Sequence, residues 1–251
     1  MNFLETRFIT QLVKEYLTDT RWREVFLLTA ELMGDEVGNL LSLMQAESQH
    51  YINTPKLQNL LHWADEITSE TAGNINPVDK RLIALTIADY DAFPDSYAYE
   101  IGYTIAIANI TIKSHANKAH ANDIIHMIVA YTTSINEAIQ ATLELEKLQI
   151  FNHTNFTELA GNLKELKFKI PNHDKSLEEH TKFTQKLQDT LLVAFKLTPE
   201  MIDLSKEELK TLDEKHLYAN KLIIDCKKSA IGETSPLWWQ EIEDRMLKPN
   251  L

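Results

Sequence analysis

Carboxylate–histidine pairs are the residues of this chain whose types and spacing come closest to a chemical site. In three places a carboxylate stands three residues before a histidine, a spacing that puts both side chains on one face of a helix. The pairs are Glu47 with His50, Asp123 with His126, and Asp213 with His216. Di-iron bundles combine two Glu-x-x-His helices with two further glutamates, whereas only one pair here contains glutamate. The spacing therefore indicates solvated helix-surface groups or helix-end cations, and a metal-binding helical-bundle enzyme is the alternative.

A second group of histidines is close in sequence but poorly spaced for a shared ligand. His115, His120 and His126 are separated by five and six residues, which places them on different faces of a helix. A common metal ion would need a loop there. The sequence favours polar residues near a helix start over a metal site.

The single cysteine, Cys226, is the remaining nucleophile to consider. It would need a histidine such as His216 beside it, yet it lies in an apolar run next to Asp225. A neighbouring carboxylate raises the pKa of a thiol, so we expect a buried structural cysteine. Ser-His-Asp, G-x-S-x-G and H-E-x-x-H patterns are absent from the sequence. We therefore predict no catalytic, cofactor-binding or metal-binding residue, and no cofactor.

Tryptophans are the large aromatic anchors, and core packing is the expected role for most of them. Trp22 and Trp63 lie on apolar helical stripes. The adjacent Trp238 and Trp239 point about 100° apart on a helix, so burying both requires a wide apolar contact. One of these two is a candidate anchor for a partner protein.

The elements that must position these residues are predicted to be helices. Four prolines follow a capping residue, which is typical of a first helical position. They are Pro55, Pro77, Pro199 and Pro236. Ser176 and Ser205 each precede a glutamate by three residues and read as capping boxes.

Three segments give more specific expectations. An apolar stripe of one helix is predicted to contain Trp22, Val25, Phe26, Thr29, Leu32 and Met33. Gly34 should end this helix, and Asp35 should cap the next one. Residues 98–112 alternate locally as a strand would, but their small residues and helical neighbours favour a buried helix. Residues 121–148 predict one long helix.

Composition excludes several classes of protein. Only 6 glycines in 251 residues argue against glycine-rich phosphate loops and for long helices. A net charge of −12 disfavours sequence-independent nucleic-acid binding. One cysteine excludes an intramolecular disulfide, and no apolar stretch is long enough for a membrane span. The chain is predicted to be an all-α, cytoplasmic protein, an irregular array of antiparallel helix pairs.

A soft domain boundary is predicted at 151–175, where polar connections interrupt the helical pattern. It would separate a helical body, 1–155, from a C-terminal helical subdomain, 156–251, although both could form one domain. The sequence shows no fixed-period repeat.

Both ends of the chain carry motifs of one known family. Residues 21–33, RWREVFLLTAELM, resemble the start of the helical region that follows the ATPase module in bacterial NACHT-type signalling NTPases. Residues 218–226, YANKLIIDC, and 242–249, IEDRMLKP, are similar to motifs near the C-terminus of the same proteins. The residues that carry the resemblance are Trp22, Arg23, Glu24, Tyr218, Asn220, Asp225 and Cys226.

The resemblance implies the C-terminal helical region of a NACHT protein, separated from its NTPase module or encoded alone. The family's ATP site is a P-loop, and no G-x-x-x-x-G-K-[ST] occurs in this chain. We therefore expect a non-enzymatic sensor or regulatory module. Its partners would be a NACHT NTPase module, in cis or in trans, and an unidentified stimulus ligand. A plain oligomerisation scaffold is a further alternative.

Overall fold

The fold was determined from a computed structural model of the chain. The structure describes residues 3–89, 98–105 and 108, 121–172, 174–231 and 236–249. All elements in these ranges are helices, and no strand occurs among them, so the prediction of an all-α protein is confirmed.

The helices are defined as follows. They are α1 (Phe3–Tyr16), α2 (Arg23–Met33), α3 (Val37–Gln49), α4 (Pro55–Thr68), α5 (Pro77–Ala88), α6 (98–105), α7 (Ala121–Leu148), α8 (Phe156–Lys167), α9 (Leu177–Ala194), α10 (Pro199–Ile202), α11 (Lys206–Lys210), α12 (Tyr218–Ser229) and α13 (Pro236–Arg245). Short 3₁₀ turns precede α2 and α3 at Thr20–Trp22 and Gly34–Glu36. A π-helical segment, Thr211–Leu217, joins α11 directly to α12.

The predicted helix starts are confirmed. All four prolines open a helix, at α4, α5, α10 and α13. Ser176 and Ser205 both form complete capping boxes, in which the serine hydroxyl accepts from the backbone N–H of the glutamate three residues later. The glutamate side chain in turn accepts from the serine backbone N–H, so two otherwise unpaired donors are satisfied at each start.

The ambiguous segment 98–112 is helical in its described part, residues 98–105 and 108, with Ile101 and Ile105 buried. The remainder of that segment lies outside the described residues. Gly34 ends α2 with a φ of 50°, as predicted. Asp35 does not cap α3, since a 3₁₀ turn carries the chain into that helix without a side-chain cap at Glu36.

Contacts divide the chain into two compact units. Unit 1 contains 1–62, 76–78 and 204–251, and unit 2 contains 63–75 and 79–203. The predicted boundary at 151–175 was placed at polar segments that interrupt the helical pattern, whereas this division is based on which residues contact one another. The division passes through α4 and α5.

Unit 1 contains helices from the N-terminal and the C-terminal parts of the sequence. Helix α12 packs against both α2 and α3, and α3 also packs against α1 and α13. The buried side of α12 consists of Ala219, Asn220, Leu222, Ile223 and Cys226. The N-terminal and C-terminal motifs of the sequence analysis thus share one core.

Unit 2 contains the long helix α7, which packs against α8, and α8 packs against α9. An aromatic cluster forms where Phe151, Phe156 and Phe195 meet edge to face, with ring centroids 5.5–6.2 Å apart. Trp63 donates from Nε1 to the Phe195 carbonyl at 2.8 Å, which satisfies its one polar group in the core. The predicted core role of Trp63 is confirmed.

Candidate interaction site

Two of the residues that carry the sequence resemblance, Arg23 and Asp225, meet where α2 packs on α12 in unit 1. Arg23, at the start of α2, donates from its guanidinium to the Asp225 carboxylate at 2.9 Å and to Glu24 at 2.9 Å. The hydrogen bond with Asp225 is the main cause of the raised pKa of Arg23. This half-exposed ion pair is a direct side-chain link between residues 202 positions apart.

Two aromatic residues that carry the resemblance, Trp22 and Tyr218, also belong to unit 1. Trp22 stacks on Tyr16, with ring centroids 4.0 Å apart and planes within 15°. The Tyr218 hydroxyl is buried and finds no hydrogen-bond partner among the described residues. Burial raises the pKa of Tyr218, which keeps its hydroxyl protonated.

Cys226 lies in the same junction and is fully buried, as predicted. Burial, and then the charge of Asp225, raises the pKa of its thiol to about 12, against the opposing effect of Arg23. A thiol of that pKa is almost wholly protonated at neutral pH, so it is a poor nucleophile. Its position is that of a core residue.

His216 corrects the expectation of a solvated histidine. It is completely buried in the π-helical segment, and its Nδ1 donates to the Ser48 carbonyl of α3 at 2.9 Å. Burial lowers its pKa to about 4, so the ring is neutral at pH 7. The sequence contained a signal for this role, because His216 follows Leu212 by four residues and precedes Ala219 and Ile223 by three and seven, which is helical spacing along one buried side.

The other histidine pairs behave differently. His50 lies at the C-terminal end of α3 with 72% of its side chain exposed and Nδ1 3.4 Å from Glu47, as expected for a helix-end group. His115 and His120 lie outside the described residues, as do the side chains of Asp123 and His126. Within the part of the chain that is described, no three His, Cys, Asp or Glu residues are grouped to hold a metal ion.

The candidate partner anchors Trp238 and Trp239 are both half-buried on α13. The Trp238 ring packs so closely over Gly38 of α3 that a Cβ there would lie 2.8 Å from ring atom Cζ2. Lys227 of α12 lies over the Trp239 ring, with Nζ 5.1 Å from the centroid. Both rings have intramolecular contacts and retain exposed surface, so the role of either as a partner anchor stays a prediction.

An exposed apolar surface on α2 was missed by the sequence analysis. The predicted stripe is wrong in part, because the buried residues of α2 are Phe26 and Ala30, while Val25 and Leu32 face outward. Together with Leu28 they form an exposed stripe, with exposures of 38%, 56% and 87% for Val25, Leu28 and Leu32. The sequence contained the signal, since apolar residues occupy nearly the full circumference of this helix and one face cannot bury them all.

Unit 2 contains a separate cavity of about 310 Å³, lined by Glu100, Glu137, Glu144, Asn136, Gln140 and Ala141. Partial burial raises the pKa of Glu100, and the neighbouring Glu137 raises it further. None of the sequence motifs includes these residues, so no sequence signal pointed to this cavity.

A comparison with protein-family models finds a similarity in the C-terminal part of the chain. Residues 159–249 match the family model described as NACHT C-terminal Helical domain 2. The resemblance to a NACHT C-terminal helical region is thereby confirmed for this segment, and the N-terminal motif around Trp22 lies outside the match. No curated protein and no solved structure matches the chain. Among the described residues, none of the helices has the length and apolarity to cross a membrane.

Proposed function

We propose that this chain is a non-enzymatic sensor or regulatory module of a NACHT-type signal transduction protein. The observation that carries the proposal is the match of residues 159–249 to NACHT C-terminal Helical domain 2, a domain distinct from the catalytic NTPase module. The lack of a phosphate-binding loop in this sequence supports the same reading.

The mechanism follows from linkage between binding sites. A stimulus ligand or partner protein that binds one conformation of the helical module more tightly shifts its conformational balance. If the two conformations also differ in their affinity for an NTPase module, in cis or in trans, binding of the stimulus and binding of the NTPase module are coupled. The partner we propose is a protein rather than a nucleic acid, because the net charge is −12. A cytoplasmic location is part of the proposal, and the buried free thiol of Cys226 is compatible with it.

The test adds the purified chain to a NACHT-type NTPase module from the same organism. Complex formation is measured by size-exclusion chromatography with light scattering, and ATP hydrolysis is measured with and without the chain. We expect a complex and a several-fold change in the hydrolysis rate, while the chain alone hydrolyses no ATP. Absence of both a complex and a rate change, or ATP hydrolysis by the chain alone, would overturn the proposal.

A further inference from the structure

The exposed stripe of α2, formed by Val25, Leu28 and Leu32, has the spacing of a helix-docking surface. Its residues follow one another at i, i+3 and i+7, so their side chains lie in a row along one side of the helix. Leu32 is 87% exposed, although a leucine usually gains about 1.5–3 kcal/mol from burial. The buried side of the same helix, at Phe26 and Ala30, already supplies its packing in unit 1.

One edge of this stripe is acidic. Glu24 and Glu31 are both exposed and are seven residues apart, so they lie nearly above one another on the helix. Leu28 is about 40° around the helix from Glu24, which places the carboxylates directly beside the apolar row. Glu24 accepts a hydrogen bond from Arg23 at 2.9 Å, yet its side chain stays 74% exposed, and Glu31 is exposed as well. The edge therefore combines apolar contact with negative charge.

We propose that the α2 stripe docks an amphipathic helix of a partner protein whose own apolar row is bordered by lysine or arginine. Apolar side chains of such a helix cover Val25, Leu28 and Leu32, and its basic border pairs with Glu24 and Glu31. This inference deepens the proposed function, on which it rests, by naming the surface and the chemistry of the partner.

A second copy of the chain fits the stripe less well. Two α2 helices packed antiparallel about a two-fold axis would bring the same edges together, and Glu24 and Glu31 of one copy would face those of the other. Like charges in that position are destabilising, and a net charge of −12 on each copy adds to the repulsion.

The test uses two synthetic amphipathic helices as probes, one of leucine and lysine and one in which every lysine is replaced by glutamate. Binding to the purified full chain is measured by fluorescence anisotropy at several salt concentrations. We expect the leucine–lysine helix to bind and the leucine–glutamate helix not to. Replacing both leucines, Leu28→Ser with Leu32→Ser, should weaken binding by about tenfold or more.

A charge-reversed variant, Glu24→Lys with Glu31→Lys, tests the contribution of the acidic edge separately from that of the apolar stripe. It should reverse the preference between the two probes. Because Glu24→Lys also removes the ion pair with Arg23, the single variant Glu31→Lys should shift the preference in the same direction without touching that pair. Matched controls are Val193→Ser, at a site 76% exposed, and Glu165→Lys with Glu178→Lys, which change the net charge equally. Circular dichroism melting confirms that each variant is folded.

The following results with the purified chain would overturn the inference. They are an unchanged probe preference in the charge-reversed variant, equal weakening by the matched controls, and a dimer of the unaltered chain that the serine variant dissolves. The NTPase measurement separates the two proposals. If the serine variant regulates the NTPase as well as the unaltered chain does, the inference about α2 fails while the proposed function stands. If the lysine probe binds α2 but the NTPase never responds, the proposed function fails instead.

Discussion

At the residue scale, burial decides which titratable groups are chemically available. His216 and Cys226 belong to the residue types that most often act as bases and nucleophiles. In unit 1 both are fully buried, His216 in the π-helical segment and Cys226 in α12. Desolvation lowers the pKa of His216 and raises that of Cys226, which favours the neutral form of each. These two residues therefore contribute to stability through packing. The protonation of His216 can be tested by the pH dependence of stability, and the burial of Cys226 can be tested by thiol alkylation.

His216 should make the stability of the chain depend on pH between about 6.5 and 4. Its folded-state pKa is lowered to about 4, so below pH 6.5 the unfolded state takes up a proton that the folded state refuses. The stability present above pH 6.5 should fall by on the order of 3 kcal/mol as the pH reaches 4. Denaturant unfolding at a series of pH values measures this loss.

The variant His216→Asn isolates that effect, because its amide can still donate to the Ser48 carbonyl but cannot be protonated in this range. Its stability should fall by about 3 kcal/mol less than that of the unaltered chain over the same pH interval. His50→Asn, at an exposed site, should leave the pH dependence unchanged. Equal pH dependence in the His216 variant and the unaltered chain would contradict the buried, neutral histidine.

Cys226 should resist alkylation while the chain is folded. Its thiol is fully buried with a pKa of about 12, so both access and thiolate are lacking at pH 8. Iodoacetamide labelling followed by mass spectrometry should show almost no adduct in buffer and complete labelling in guanidinium chloride. Rapid labelling of the folded chain, at the rate seen in denaturant, would show that the junction between α2 and α12 opens readily.

At the element scale, close helix packing is set by a few small residues. The Trp238 ring of α13 occupies the space that a side chain at Gly38 of α3 would need. Gly161 of α8 offers a contrast, since nothing lies within 4 Å of a Cβ built there. The same substitution should therefore have opposite effects in two helices.

Gly38→Ala should destabilise unit 1 by about 1–2 kcal/mol, since the steric cost of overpacking exceeds the gain in helix propensity. Gly161→Ala should be neutral or stabilising by up to about 1 kcal/mol, because only the propensity changes. Thermal melting followed by circular dichroism compares the two variants. The double variant Gly38→Ala with Trp238→Leu should show a much smaller effect of the alanine, and an equal effect with leucine present would refute the ring contact.

At the scale of the whole molecule, the matched family segment does not coincide with a compact unit. Residues 159–203 of the match belong to unit 2 and residues 204–249 belong to unit 1. In unit 2, α8 packs on α7, and in unit 1, α12 packs on α2 and α3. Each half of the match is therefore completed by residues outside it.

A fragment of residues 159–249 should not fold alone. The buried face of α12, with Leu222 and Ile223, loses its partners α2 and α3, and isolated helices of this length are marginal in water. We expect low helicity by circular dichroism and no cooperative thermal transition, with the full chain as the control. A cooperative melt of the fragment with the helicity of the same segment in the full chain would contradict the division into units.

The sequence determined the helical class and the places where helices begin. Proline and serine act locally, through a fixed φ and a side-chain hydrogen bond to the next turn, so α4, α9 and α11 could be placed from a few neighbouring residues. The resemblance to a NACHT C-terminal helical region also came from sequence motifs, and the family match bears it out for the C-terminal segment.

Only the tertiary structure decided which side of each helix is buried. The sequence placed Val25 and Leu32 on the inward stripe of α2 and His216 on a solvated surface, and both assignments were wrong. On α2 nearly every side is apolar, and His216 is a polar residue on the apolar side of its helix, so residue type and spacing alone do not define the inward direction. That direction depends on the positions of α3 and α12, which are set by contacts between residues far apart in the chain.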